Sequence, residues 1–131
     1  MPLPLVVQAE QLWMHRVDPA AGAHGWLDEA TWSATMRTRN ELTVVCDLDQ
    51  VAGAVATSGP YRAFKVDAVL DHDVIGVLAG IAGPLAEAGI SIFSVSTFDT
   101  DYTLVPEVRL SEAIDALQLA AYPVTLESGG A

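Results

Sequence analysis

What most constrains this chain is the way its apolar spacing alternates between strand and helix periods from Tyr61 to Leu126. Tyr61, Ala63, Val66, Ala68 and Leu70 alternate loosely between Pro60 and Asp71-His72-Asp73, which predicts a strand. Val74, Val77, Leu78, Ile81 and Leu85 then recur at helical spacing. Asp71 or Asp73 is suited to accept from the free first-turn amides as an N-cap, and Gly89 to close the helix. Pro84 removes one backbone donor and should bend the helix. Ile90–Phe98, rich in β-branched and aromatic residues, predicts a strand that Asp99-Thr100 turns into Asp101–Val105, forming a hairpin. Pro106 ends that strand. Leu110, Ala113, Ile114, Leu117 and Ala121 form a second helical stripe, and Pro123 precedes a short strand at Val124–Leu126. Glu127–Ala131 reads as a frayed tail.

The order β-α-β-β-α-β is the split βαβ pattern of ferredoxin-like α+β folds, in which two helices cover one face of an antiparallel sheet. Upstream, Asp47–Pro60 carries Gly53, Ser58, Gly59 and Pro60 and reads as a linker or turn. Gln11–Val17 and Glu41–Cys46 predict strands, with Thr35–Thr38 pairing to the second across Arg39-Asn40. A short helix fits Gly25–Trp32. The expected organisation is a truncated unit of the same type at 1–58, a complete unit at 59–127, and a tail at 128–131.

Composition narrows the function. The formal charge is −11, from 17 acidic and 6 basic residues. That argues against nucleic-acid binding, which needs basic stripes, and against docking on an anionic membrane. No run of apolar residues is long enough to span a bilayer, and the start, Met1 to Val7, lacks the basic region of a signal peptide. Cys46 is the only cysteine, so no intrachain disulfide forms, and a reducing cytoplasm is the expected compartment. Its expected role is a buried strand residue. His72 sits between two acids, but His15 and His24 lie at unrelated spacings, so neither a metal nor another cofactor is expected. Asp99 and Asp101 lack an accompanying nucleophile–base pair, phosphate loop or dinucleotide fingerprint, so no enzyme is expected. Trp13, Trp26 and Trp32 are expected as core or interface aromatics.

The most informative segment is Gly89-Ile90-Ser91-Ile92-Phe93-Ser94-Val95-Ser96-Thr97-Phe98-Asp99-Thr100-Asp101-Tyr102-Thr103-Leu104-Val105. It resembles the second and third strands of ACT domains in aspartate kinases and in the CASTOR arginine sensors. Asp71-His72-Asp73-Val74-Ile75-Gly76-Val77-Leu78-Ala79 is similar to the loop in which that family binds its ligand, with Gly76 opening the first helix. The resemblance covers residues 61–126, and Asn40-Glu41-Leu42-Thr43-Val44-Val45-Cys46 is also similar to the N-terminal part of small bacterial tandem-ACT proteins. It implies an amino-acid-binding regulatory protein working as a homodimer and read by an unidentified protein partner. The alternative it leaves is a ligand-free dimerisation or adaptor module. The implied ligand-binding residues are Asp71, Asp73, Val74, Ile75, Gly76, Ser96, Thr97, Phe98 and Asp101, with Ser91 and Ile92 closing the pocket from a neighbouring subunit. Val74 stands where the arginine sensors carry an additional acid, which leaves the identity of the amino acid open.

Elementary chemistry points the same way. A free amino acid presents a carboxylate and an ammonium two bonds apart. A helix N-terminus offers unpaired amides and a positive dipole end to the carboxylate. Glycine at 76 lets the backbone approach a ligand, and carbonyls near Thr97-Phe98 with the Asp101 carboxylate can accept from an ammonium or guanidinium.

Overall fold

The computed structural model describes residues 2–21 and 25–128, with backbone alone at Ala21 and Trp26. His24 lies outside the described residues, as does the end of the tail from Gly129. The strands are β1 (Leu5–Val7), β2 (Leu12–Val17), β3 (Ser33–Arg37), β4 (Leu42–Cys46), β5 (Ala54–Val66), β6 (Phe93–Ser96), β7 (Asp101–Pro106) and β8 (Val124–Leu126). The helices are α1 (Val77–Glu87) and α2 (Leu110–Leu119). Short 3-10 turns occupy Pro19–Ala21, Gly25–Glu29 and Glu107–Arg109. The chain divides into two compact units, one at 10–61 and one formed by 62–128 together with 2–9.

In the 10–61 unit the strand order is β3-β4-β2 followed by the first part of β5, with every pair antiparallel. β3 does pair with β4, over a longer span than Thr35–Thr38. Val17, Leu42, Val44 and Cys46 form the core, backed by Leu27, Ala30, Leu48 and Val51. Burial pushes the Cys46 thiol above its ordinary range. His15 is fully buried and bridges two elements: its Nε2 lies 2.8 Å from the Leu48 carbonyl and its Nδ1 2.9 Å from the Thr57 hydroxyl. Because a carbonyl only accepts, Nε2 carries the proton there. The helix expected at Gly25–Trp32 is only the 3-10 turn Gly25–Glu29.

The linker expected over Asp47–Pro60 shrinks to its first residues, because β5 already begins at Ala54. Proline and glycine misdirect the sequence reading here. Leu12 pairs with Tyr61 and Met14 with Ser58, so Gly59 and Pro60 together face the single residue Trp13. That is a β-bulge, the one strand interior where a missing amide donor costs no ladder bond. Gly59 has φ +142°, which a side chain rarely adopts.

The other unit holds β5(62–66)-α1-β6-β7-α2-β8, the predicted β-α-β-β-α-β order. β1 is an addition: it lies between β5 and β8, antiparallel to the first and parallel to the second. The expected antiparallel sheet thus contains one parallel pair. Leu5, Phe64, Val66, Ile81, Leu85 and Leu117 are among the fully buried side chains joining sheet and helices. Glu127 is not frayed: its amide donates to the Val7 carbonyl and its carboxylate accepts from the Ala9 amide.

α1 runs through Pro84 and ends in a Schellman motif, with Gly89 N–H donating to Ala86 O and Ile90 N–H to Leu85 O. α2 ends the same way, through Ala121 N–H to Gln118 O and Tyr122 N–H to Leu117 O. At the left-handed position α1 has Gly89 (φ +73°), whereas α2 has Ala121, also at φ +73°. A Cβ there is unfavourable. Ala121→Gly is expected to stabilise the protein by about 0.5–1 kcal/mol, seen as a higher urea midpoint at unchanged slope.

Candidate functional site

The link from β5 to α1 and the tip of the β6–β7 hairpin meet at one end of the 62–128 unit. Thr97 N–H donates to Thr100 O at 2.8 Å, and Thr100 N–H to the Thr97 hydroxyl at 3.2 Å. The turn residues are therefore Phe98 and Asp99, one position earlier than the expected Asp99-Thr100. Thr100 is instead buried, and its hydroxyl donates to Val66 O at 2.7 Å. This pins the hairpin to β5.

Two further bonds hold the link against the tip. Leu70 N–H donates to Asp99 O at 2.7 Å, and His72 Nε2 donates to Phe98 O at 2.8 Å. The His72 ring also meets Phe98 edge-on, with centroids 4.4 Å apart. Between them is an open cleft of about 620 Å³ lined by Val69, Leu70, Asp71, His72, Asp73, Phe98 and Asp99. Asp71, Asp73 and Asp99 make it acidic, and the exposed apolar side chains of Val69 and Phe98 flank them.

α1 starts later than its apolar stripe predicts. Gly76 is the N-cap, in a left-handed conformation (φ +88°), and no side chain caps the helix. Asp71 and Asp73 therefore do not play the expected capping role; Asp71 closes a local turn, its carbonyl accepting from Val74 N–H at 3.1 Å. The amides at the start of an α-helix have no intrahelical partner, and no side chain caps those of Val77, Leu78 and Ala79. A Cβ on Gly76 would meet nothing within 4 Å, so glycine serves the backbone angle and not close packing. Val74 (50% exposed) and Ile75 (93%) lie in the loop, outside the cleft lining.

Sequence reasoning thus located the loop and the hairpin but mixed two kinds of residue. Asp71, Asp73 and Phe98 line the cleft. Asp101 and Ser96 do not: they face each other across the β6–β7 ladder, and Ser96 Oγ donates to Asp101 Oδ1 at 2.7 Å. Phe98 O, expected to receive a ligand donor, already accepts from His72. Ser91 is exposed and Ile92 half-buried against the core, both ahead of β6, which is shorter than the predicted strand. Val69, Leu70 and the bridging role of His72 were missed, since nothing in local sequence tells a histidine which carbonyl it will meet. Among the described residues no cluster of three or more His, Cys, Asp or Glu could hold a metal ion, and no helix is long and apolar enough to cross a membrane.

Known proteins share the fold. The ACT domain family matches residues 57–118. The cytosolic arginine sensor for mTORC1 subunit 1 of Homo sapiens is 49% identical over 49 residues, a stretch covering 37% of this chain and 15% of the sensor. A solved protein of Agobacterium tumefaciens is similar over 97% of this chain and 95% of its own, at 28% identity and TM-score 0.85. The regulatory subunit of aspartate kinase from Thermus thermophilus shares the fold over 85% of this chain and 93% of its own, at 8% identity and TM-score 0.58. Residues 57–118 of this chain therefore match the ACT domain family, and the chain shares its fold with an aspartate kinase regulatory subunit.

Proposed function

We propose that the protein is an amino-acid-binding regulatory module, holding a free amino acid between the 71–76 loop with the start of α1 and the 96–101 end of the hairpin, at or near an interface between two copies. The observation that carries this is an uncapped helix start following directly on an acidic cleft. The amides of Val77, Leu78 and Ala79 suit the carboxylate, and Asp71 and Asp73 suit the ammonium or a basic side chain. Ser96, Thr97 and Asp101 fix the hairpin tip, while Ser91 and Ile92 of a second copy would close the cleft. Similarity to an arginine sensor and to an aspartate kinase regulatory subunit supports the regulatory reading. Binding would order the loop and shift a conformational equilibrium that a partner protein reads.

A thermal-shift screen of the twenty amino acids tests this. A saturating ligand is expected to stabilise the protein by roughly 2–4 kcal/mol. Joint Asp71→Asn and Asp73→Asn replacement should weaken the response at least tenfold. No shift with any amino acid at millimolar concentration would end the binding claim. The exposure of Ile75 (93%), Val69 (80%) and Phe98 (80%) supports a second reading, a ligand-free dimerisation or adaptor surface. A stable dimer indifferent to every amino acid would favour it.

A further inference from the structure

Next to the cleft, and sharing Val69 and Asp99 with it, lies a smaller hollow of about 270 Å³. Its lining includes Lys65, Asp67, Thr97, Asp99, Thr100 and Tyr102. Lys65 alternates with Phe64 and Val66, which enter the core shared with the helices, so its side chain leaves the sheet on the opposite face. The hollow is thus separate from the helix start invoked above.

Lys65 stands apart electrostatically. The other basic side chains of its unit are engaged: Arg62 reaches Glu107 at 3.5 Å and the Gln8 carbonyl at 2.8 Å, and Arg109 reaches Glu112 at 2.9 Å. Among the described residues Lys65 makes no ion pair, although Asp67 and Asp99 line the same hollow. The half-buried Lys65 and the exposed Asp67 and Asp99 therefore line one small space without pairing directly. A molecule bearing both signs satisfies both walls at once, and one bearing a single sign leaves the other wall unpaired.

We propose that this hollow is a second ligand site, for a small zwitterion whose carboxylate pairs with Lys65 and whose ammonium faces Asp67 and Asp99. The Thr97 hydroxyl donates to Thr100 O and the Thr100 hydroxyl to Val66 O. Both hold the wall in shape. The proposal does not rest on the reading of the cleft: Asp99 lines both spaces, whereas Lys65 and Asp67 belong to the hollow alone and Asp71 and Asp73 to the cleft alone.

Glycine, the smallest such zwitterion, is the probe, with methylamine as the analogue lacking a carboxylate. Both are titrated to millimolar concentration into the isotope-labelled full chain while backbone amide resonances are followed. Saturable glycine shifts are expected at Lys65–Ala68 and Thr100–Tyr102, lost in Lys65→Gln and retained in the Asp71→Asn, Asp73→Asn double variant. Methylamine should not reproduce them. Absence of these shifts, their persistence in Lys65→Gln, or equal shifts with methylamine would overturn the assignment. Shifts confined to Asp71–Ala79 would likewise reject the hollow while leaving the cleft standing, and shifts confined to the hollow support it and leave the cleft to be tested with the other amino acids.

Discussion

Leu85→Ala is expected to destabilise the 62–128 unit by about 3 kcal/mol. Leu85 is fully buried, on the inner face of α1 among Ile81, Phe64 and Leu117. Its truncation removes a transfer term and leaves a cavity that rigid neighbours fill poorly. The Leu85 carbonyl that receives Ile90 N–H in the Schellman motif is backbone and survives the change, so the loss is one of packing. The cost should appear as a lower urea midpoint and as faster amide hydrogen exchange in α1 and β5. A loss below about 1 kcal/mol would mean that α1 is not anchored as described.

Gly59→Ala is expected to cost a similar amount, about 3 kcal/mol, by a different mechanism. An added Cβ would sit 2.8 Å from Trp13 Cδ1, 2.9 Å from the Leu12 carbonyl oxygen and 3.1 Å from Trp13 Cα. Two of these are backbone atoms of β2 and cannot swing aside as a side-chain tip does. The φ of +142° adds strain for any residue with a Cβ. The change therefore attacks the bulge that sets the register between β2 and β5. Exchange protection should fall in the 10–61 unit, around Leu12–Val17. Near-wild-type stability would show that the bulge relaxes without penalty.

The same two places mark how far the sequence could be read. α1 and α2 were legible because Ile81, Leu85, Ala113 and Leu117 repeat at helical spacing and all end up buried. The hairpin was legible because β-branched and aromatic residues flank a short polar turn. Its turn was misplaced by one residue because Thr100, a turn former by composition, is claimed by the Val66 carbonyl far away in sequence. β1 escaped because three residues carry no period, and its partners, β5 in mid-chain and β8 near the end, are both distant in sequence. Pro60 disguised a strand as a linker since its tolerance depends on a bulge that only the partner strand reveals. The site divides along the same line. The family resemblance pointed to Asp71, Asp73 and Phe98, which line the cleft, whereas the His72–Phe98 bond, the uncapped Gly76 start and the Ser96–Asp101 brace required the fold.

The regulatory proposal depends on one group of atoms, the first-turn amides of α1, being available to a carboxylate. Amide resonances of Val77, Leu78 and Ala79, followed while each amino acid is titrated in turn, report on them directly. At least one amino acid is expected to move all three saturably, together with Asp71 and Asp73. Spectra in which these amides stay fixed under every amino acid would contradict it.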